Sequence, residues 1–267
     1  MTAALAPGLA ERVYSLVACA AGRPDVRTAV EANHDDNRWW PLSVTDWRVR
    51  MTAAGWSSRV SYSMISTYAR VVSRADQLGW SALTGLDDTD LSAIVRPLGL
   101  INSRVSYLRS LAGFVSRAEA TGTDLGGLPP EDLIRVFAAG VRGAGYKVAQ
   151  CAALYARGYH CGIIPVDSGM VTRLAPFLGI QPSPGPAAHE QLRHLLQAAA
   201  DSMTDRYREL ASALGYDVRI PQDANPTWFV HLVLIYFKRL YLNRPGPGLC
   251  TRRPACADFL NCRCLTT

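Results

Sequence analysis

Apolar side chains recur every three or four residues along most of this chain, the spacing that lines one face of an α-helix. The pattern is clear over residues 45–77 and 102–117, and the segment 228–242 is apolar enough to form a buried helix. No alternation of apolar and polar residues competes with it as a half-buried strand would. Segments rich in glycine and proline, at residues 121–130 and 181–186, separate helical stretches. The sequence therefore predicts an all-α fold.

The size and charge of the chain limit its function without identifying it. Its 267 residues can form one large domain or two small ones, and 49% hydrophobic with 19% charged residues is typical of a globular protein. The net charge of +6 favours an anionic partner such as nucleic acid. The apolar run at residues 13–21 is too short to span a bilayer, so we expect a cytoplasmic protein whose seven cysteines need not form disulfides.

A tight turn that opens a helix is the strongest local signal. Gly143 and Gly145 flank a single residue, and residues 147–156 are apolar at helical spacing. Glycine tolerates positive φ and brings no Cβ, while the unpaired amides at the start of a helix bind anions such as phosphate. Of the 28 basic residues, Lys147 and Lys238 are the lysines and the rest are arginine. The base composition of the genome can explain the excess of arginine. Even so, the residue directly after the turn is a lysine, whose amine can lose its proton, whereas arginine cannot.

Four segments make this turn part of a larger pattern. In chain order they read G-L-I-N-S-R at residues 99–104, L-P-P-E-D-L at 128–133, G-A-G-Y-K at 143–147 and P-V-D-S-x-x-x-x-R-L-x-x-x-L-G-I at 165–180. In this order and at this spacing they resemble the helix-hairpin-helix DNA glycosylases, and within them endonuclease III.

The resemblance implies a fold, a division into lobes and two catalytic residues. It implies two helical lobes with a DNA cleft between them: residues 45–164 form a helical-barrel lobe with the helix-hairpin-helix, and residues 1–44 join 165–267. In the family, the lysine after the hairpin attacks C1′ of the damaged nucleotide, and the aspartate after the valine is the essential carboxylate. These positions are Lys147 and Asp167 here. A lysine that forms a Schiff base also allows strand cleavage by β-elimination.

The resemblance also implies contacts with DNA. Gly143, Gly145 and Tyr146 are expected at a phosphate of the bent backbone. Residues 54–61 align with the loop that fills the gap left by a flipped base, which places Arg59 at the DNA and puts Trp56 where endonuclease III has a glutamine. Trp56 is then either an aromatic wedge that stacks in the duplex or a core residue, and the sequence leaves both readings open.

Gly169 departs from the family and bears on the substrate. It stands where endonuclease III has a histidine, two residues after the aspartate. A position without a side chain predicts a pocket with less side-chain volume. Oxidised pyrimidine is the first expectation for the excised base, and a bulkier modified base is the alternative.

The C-terminal cysteines, Cys250, Cys256, Cys262 and Cys264, stand where the family often carries an iron–sulfur site. Four thiolates suit a [4Fe–4S] cluster, but their spacing of C-x5-C-x5-C-x-C differs from the family pattern C-x6-C-x2-C-x5-C. A zinc site and free thiols remain alternatives. Arg252 and Arg253, between the first two cysteines, are expected to contact DNA phosphates.

A polar stretch near the N-terminus contains His34, Asp35 and Asp36. These are metal-binding residue types, but no second histidine stands nearby at ligand spacing. The sequence therefore predicts a solvated loop at this position.

Taken together, the sequence predicts a monomeric, nucleoid-associated enzyme that binds double-stranded DNA. It would flip out and excise a damaged or modified base, pyrimidine first, with abasic-site lyase activity through Lys147. A glycosylase without lyase activity, in which Asp167 activates water, is the first alternative. A helix-hairpin-helix module that binds DNA without catalysis is the second, but it has no need of Lys147 and Asp167.

Overall fold

A computed structural model of the chain describes residues 8–36, 39 and 43–243. Within these ranges all regular secondary structure is helical, which confirms the predicted all-α fold. Several predicted site residues lie outside the described residues: Arg252, Arg253, Cys250, Cys256, Cys262 and Cys264.

The α-helices are numbered in chain order. They are α1 (Leu9–Ala21), α2 (Pro24–His34), α3 (Trp47–Trp56), α4 (Ile65–Gly85), α5 (Asp88–Val95), α6 (Ile101–Ala120), α7 (Pro130–Gly140), α8 (Tyr146–Arg157), α9 (Ala175–Phe177), α10 (Ala187–Asp201), α11 (Thr204–Ala213) and α12 (Thr227–Phe237). Short 3₁₀ turns at Tyr62–Met64 and Arg96–Leu98 precede α4 and follow α5. A π-helical segment, Met170–Leu174, precedes α9, and another, Lys238–Leu242, follows α12.

The chain divides into two compact units. Of the described residues, the central unit comprises 36, 39 and 43–159, and the terminal unit comprises 8–35 together with 160–243. The boundaries between the units, at residues 36 and 160, lie earlier in the chain than the expected boundaries at residues 45 and 165. The central unit holds α3 to α8, and the terminal unit holds the remaining helices.

Helix α3 is central to its unit and packs mainly against α8, with further contacts to α4 and α6. The Asp46 carboxylate caps its first turn by accepting a hydrogen bond of 2.8 Å from the Arg48 amide. A Cβ added at Gly55 would lie 2.2 Å from the Tyr107 ring of α6. The Tyr107 hydroxyl also donates a 2.7 Å hydrogen bond to the Met51 carbonyl. The close packing of α3 on α6 therefore requires glycine at position 55.

The terminal unit is organised around α12, whose side chains are all buried. This helix overlaps the apolar segment 228–242 over residues 228–237 and packs against α1, α2 and α10, as the sequence predicts for a buried helix. After Phe237 the chain continues as the π-helical segment Lys238–Leu242, which packs against Met170–Leu174. The end of the core helix is thereby joined to the residues that follow Asp167. Single π turns of this kind occur frequently at functional sites.

The prediction that His34 lies in a solvated loop is wrong. His34 is the last residue of α2 and is 1% exposed, with Nδ1 2.6 Å from the Asp35 carboxylate. Its ring lies 6.2 Å from that of His160, a residue distant in sequence. Burial lowers the pKa of both rings, so both favour the neutral form. The described residues contain no group of three or more side chains that could hold a metal ion.

Gly55→Ala tests the packing of α3 on α6. We expect it to lower the free energy of unfolding by about 1–3 kcal/mol, because the added methyl group overlaps the buried Tyr107 ring. Gly85→Ala is the matched control, since a Cβ there meets no atom within 4 Å. Urea denaturation of both variants measures the difference. Equal stability of Gly55→Ala and the wild type would show that the two helices do not approach so closely.

Candidate active site

The two glycines of the turn between α7 and α8 differ in backbone conformation. Gly143 has a φ of +82°, which favours glycine, whereas Gly145 is extended, with φ −68° and ψ 172°. The Arg142 amide donates a 2.7 Å hydrogen bond to Ser110 Oγ, which holds the turn against α6. The N-cap residue of α8 is Gly145, which has no side chain to cap the helix. Its first amide groups are therefore available to an anion.

Lys147 stands in the first turn of α8, beside Tyr146, and both side chains are half-buried. Behind them every residue from Val148 to Tyr155 is buried, and α8 packs against α3 and α7. No hydrogen bond or ion pair within the described part of the chain engages the Lys147 amine. The lysine is thus carried on a well-anchored helix with its amine free to meet a ligand.

Asp167 follows a buried segment that includes Ile164 and Val166. Its Oδ1 accepts a 2.7 Å hydrogen bond from the Met170 amide, and its Oδ2 accepts one from the Lys238 ammonium. The Asp167 side chain is 32% exposed, whereas that of Lys238 is only 3% exposed. Both carboxylate oxygens therefore have donors, and part of the Asp167 side chain still reaches the surface of the terminal unit.

Opposing effects act on the pKa of Asp167. Burial raises it, but the Lys238 charge, the hydrogen bonds from Lys238 and Met170, and the Arg239 charge together lower it below its usual range. Asp167 is therefore a carboxylate at neutral pH. Because its pKa is lowered on folding, it contributes stability above the unfolded-state pKa of about 3.9, and this is lost as pH falls through the folded-state value.

The wedge interpretation of Trp56 does not hold. Trp56 has 0% exposure, and its indole N–H donates a 3.2 Å hydrogen bond to the Arg104 carbonyl. A side chain without exposed surface cannot enter a duplex, so Trp56 belongs to the core, the other reading that the sequence allowed. Arg59, three residues later, is exposed and has a φ of +58°.

Tyr62 and Leu100 are the exposed large apolar side chains of the described residues, with exposures of 56% and 45%. Tyr62 follows the segment that contains Ser58, and Leu100 follows Leu98. Arg104 links these two segments. Its buried guanidinium donates hydrogen bonds of 3.2 Å to the Ser58 carbonyl and 3.1 Å to the Leu98 carbonyl. The sequence analysis did not identify Tyr62, although it lies just beyond the loop aligned with the family's gap-filling loop.

The two catalytic candidates belong to different units. Lys147 lies in the central unit and Asp167 in the terminal unit, and each is positioned by the packing of its own unit. Sequence reasoning missed Lys238 as a site residue. The signal was present, because Lys238 is the second lysine of a chain that otherwise uses arginine.

Comparison with known proteins identifies the fold. No family model matches the chain, and no curated protein does so. Among solved structures, the chain is similar to that of H. pylori 3-methyladenine DNA glycosylase (MagIII) bound to 1,N6-ethenoadenine. The two share 17% sequence identity with a TM-score of 0.51, over 79% of this chain and 92% of that one. This chain therefore has the helix-hairpin-helix DNA glycosylase fold that the sequence predicts.

None of the helices in the described residues has the length and apolar character needed to cross a bilayer. The most apolar helix, α12, has 11 residues and is buried in the terminal unit.

Proposed function

We propose that this protein is a DNA glycosylase that excises a damaged or modified base from double-stranded DNA. The observation that carries the proposal is the Asp167 carboxylate, held ionised by Lys238 and the Met170 amide and still partly exposed. It stands at the position of the essential carboxylate in a chain with the fold of DNA glycosylases. The turn before α8 supplies the second element, a site for a DNA phosphate.

The environment of Asp167 favours an electrostatic role. Cleavage of the bond between base and sugar builds positive charge on the sugar, and a fixed carboxylate stabilises that charge. A carboxylate with a lowered pKa is a weak base, so it is poorly suited to removing a proton from water or an amine. We therefore assign Asp167 to stabilising the transition state rather than to general base catalysis.

DNA binding is assigned to surfaces of the central unit. The turn at Gly143 and Gly145, with Tyr146 beside it, contacts a phosphate on the side of the damaged nucleotide. Arg59 is exposed and adds a positive charge near a second loop. In place of the buried Trp56, the exposed Tyr62 is the aromatic residue that can stack in a duplex from which a nucleotide has been flipped.

One comparison adds modified purines to the classes of base that the protein could excise. The similar solved structure is that of a 3-methyladenine DNA glycosylase, and it contains 1,N6-ethenoadenine, a modified purine. That observation favours a modified purine as a substrate class beside the oxidised pyrimidine that the sequence first suggests. A modified purine also agrees with the bulkier modified base that the sequence left as the alternative substrate.

A base-release assay tests the proposed function. Duplexes containing 3-methyladenine, 1,N6-ethenoadenine or an oxidised pyrimidine are incubated with excess protein, and the free base is measured directly. We expect release from at least one duplex, and a loss of several orders of magnitude in Asp167→Asn with DNA affinity retained, as when a group that acts in the transition state is removed. A folded wild type that releases no base from any duplex would contradict the proposal and favour a non-catalytic DNA-binding module.

Lyase activity through Lys147 is a separate step of the proposal. The half-buried amine, on a helix directly after the turn, is suited to attack C1′ as the C1′–N bond to the base breaks. Loss of the amine protons to solvent and opening of the sugar ring then give the Schiff base. Elimination of the 3′ phosphate then cleaves the strand. Within the described residues the amine has no partner, so it is available for this attack.

Lys147→Gln distinguishes the two classes of glycosylase. We expect strand cleavage and borohydride trapping to disappear, because glutamine retains the polar side chain but has no nucleophilic amine. DNA affinity should change little, since one of 28 basic residues is removed. If Lys147 is the nucleophile, base release also falls by several orders of magnitude. Base release at the wild-type rate would instead assign the attack to water and make the protein a glycosylase without lyase activity.

A further inference from the structure

Gly169 is a glycine that the backbone does not require. Its φ of −70° and ψ of −29° are ordinary right-handed helical values that any residue adopts. A Cβ added there would lie 3.1 Å from Lys238 Nζ, 3.3 Å from Lys238 Cδ and 3.4 Å from Asp167 Oδ1. The Lys238 side chain therefore packs directly against Gly169, and even a methyl group at this position would crowd its ammonium.

Lys238 reaches this space from the start of the π-helical segment that follows α12. Its side chain is 3% exposed, so water contributes little to the stabilisation of its charge. Asp167 is the carboxylate that forms an ion pair with it, and the neighbouring charges of Arg239 and Arg173 oppose its own. A buried ammonium among cationic neighbours is stable only with such a carboxylate. The buried ammonium of Lys238 therefore depends on its ion pair with Asp167.

We propose that Lys238 is a positioning residue for base excision, which holds the Asp167 carboxylate ionised and fixed in orientation, and that Gly169 is the residue that makes room for it. The inference rests on the proposed glycosylase function. Lys238 acts through Asp167 and does not itself touch the substrate. In this chain a lysine from the end of the core helix takes the place that a side chain at position 169 would otherwise occupy.

The pH dependence of base release in Lys238→Met tests the inference. Methionine fills a similar volume without a charge, so the burial that raises the pKa of Asp167 is no longer opposed by the lysine. Between about pH 7.5 and pH 5 we expect the single-turnover rate to fall about threefold to tenfold more in the variant than in the wild type, because the ionised fraction falls tenfold for each pH unit below the pKa. DNA affinity should be unchanged.

Arg239→Met is the matched control. It removes the next cation of the same segment, which acts on Asp167 without a hydrogen bond to it. We expect the pH profile to change less than in Lys238→Met, because the charge of Arg239 has a smaller effect on Asp167 than the charge and hydrogen bond of Lys238. An equal change in both variants would overturn the inference, because it would reflect the general loss of positive charge rather than the contact between Lys238 and Asp167.

Gly169→Ala supplies a second test that leaves the lysine in place. The added methyl group competes with the ammonium for the same space, so base release should slow and its rate should fall with pH as in Lys238→Met. Thermal unfolding at about pH 7.5 verifies that each variant is folded. If Lys238→Met does not fold, Gly169→Ala decides the question alone.

The outcomes separate this inference from the function on which it rests. A folded wild type that releases no base contradicts the proposed function itself. If the wild type releases base and the variants at positions 238 and 169 have the same pH profile as the wild type, the role of Lys238 is overturned. The proposed glycosylase function is then unaffected. Slower release with an unchanged profile in both variants would also overturn it, since a purely structural defect has that result.

Discussion

The ion pair between Asp167 and Lys238 is the interaction on which the candidate site depends. It joins residues 71 positions apart in the chain and lies where the segments Met170–Leu174 and Lys238–Leu242 pack together. Removing one partner of a buried pair costs about 3–5 kcal/mol, because the other charge is left without compensation. The partial exposure of Asp167 reduces that cost, since water can reach part of its side chain. The same exposure leaves part of that side chain available to a substrate.

The two lysines of the chain illustrate two uses of an amine. Lys238 is buried and paired, so its charge supports the carboxylate of Asp167. Lys147 is half-buried at the start of α8, and its amine has no partner in the described part of the chain. Arginine could replace neither without changing the chemistry, because it is bulkier and does not lose its proton. We therefore assign electrostatic support to Lys238 and covalent chemistry to Lys147.

The sequence predicted the features that depend on local pattern. Helical periodicity and the apolar segment 228–242 identified the all-α fold and the buried helix, and Gly143 marked the turn before α8, because these signals lie within a few residues of one another. It could not decide between core and surface for Trp56, since periodicity shows which residues share a face but not which face is buried. It also could not place Lys238 beside Gly169, since Lys238 follows a helix distant in sequence and only tertiary packing brings the two together.

The protonation state of Asp167 provides the most direct measurement of this account. Its side-chain carboxyl can be observed by carbon-13 NMR in protein with labelled aspartate, and its resonance is assigned by its absence in Asp167→Asn. The account predicts that Asp167 remains a carboxylate as the pH is lowered to the ordinary aspartate pKa of about 3.9, because Lys238 and the Met170 amide stabilise the charged form. A titration at or above that value would show that burial outweighs the pair, and would contradict the account.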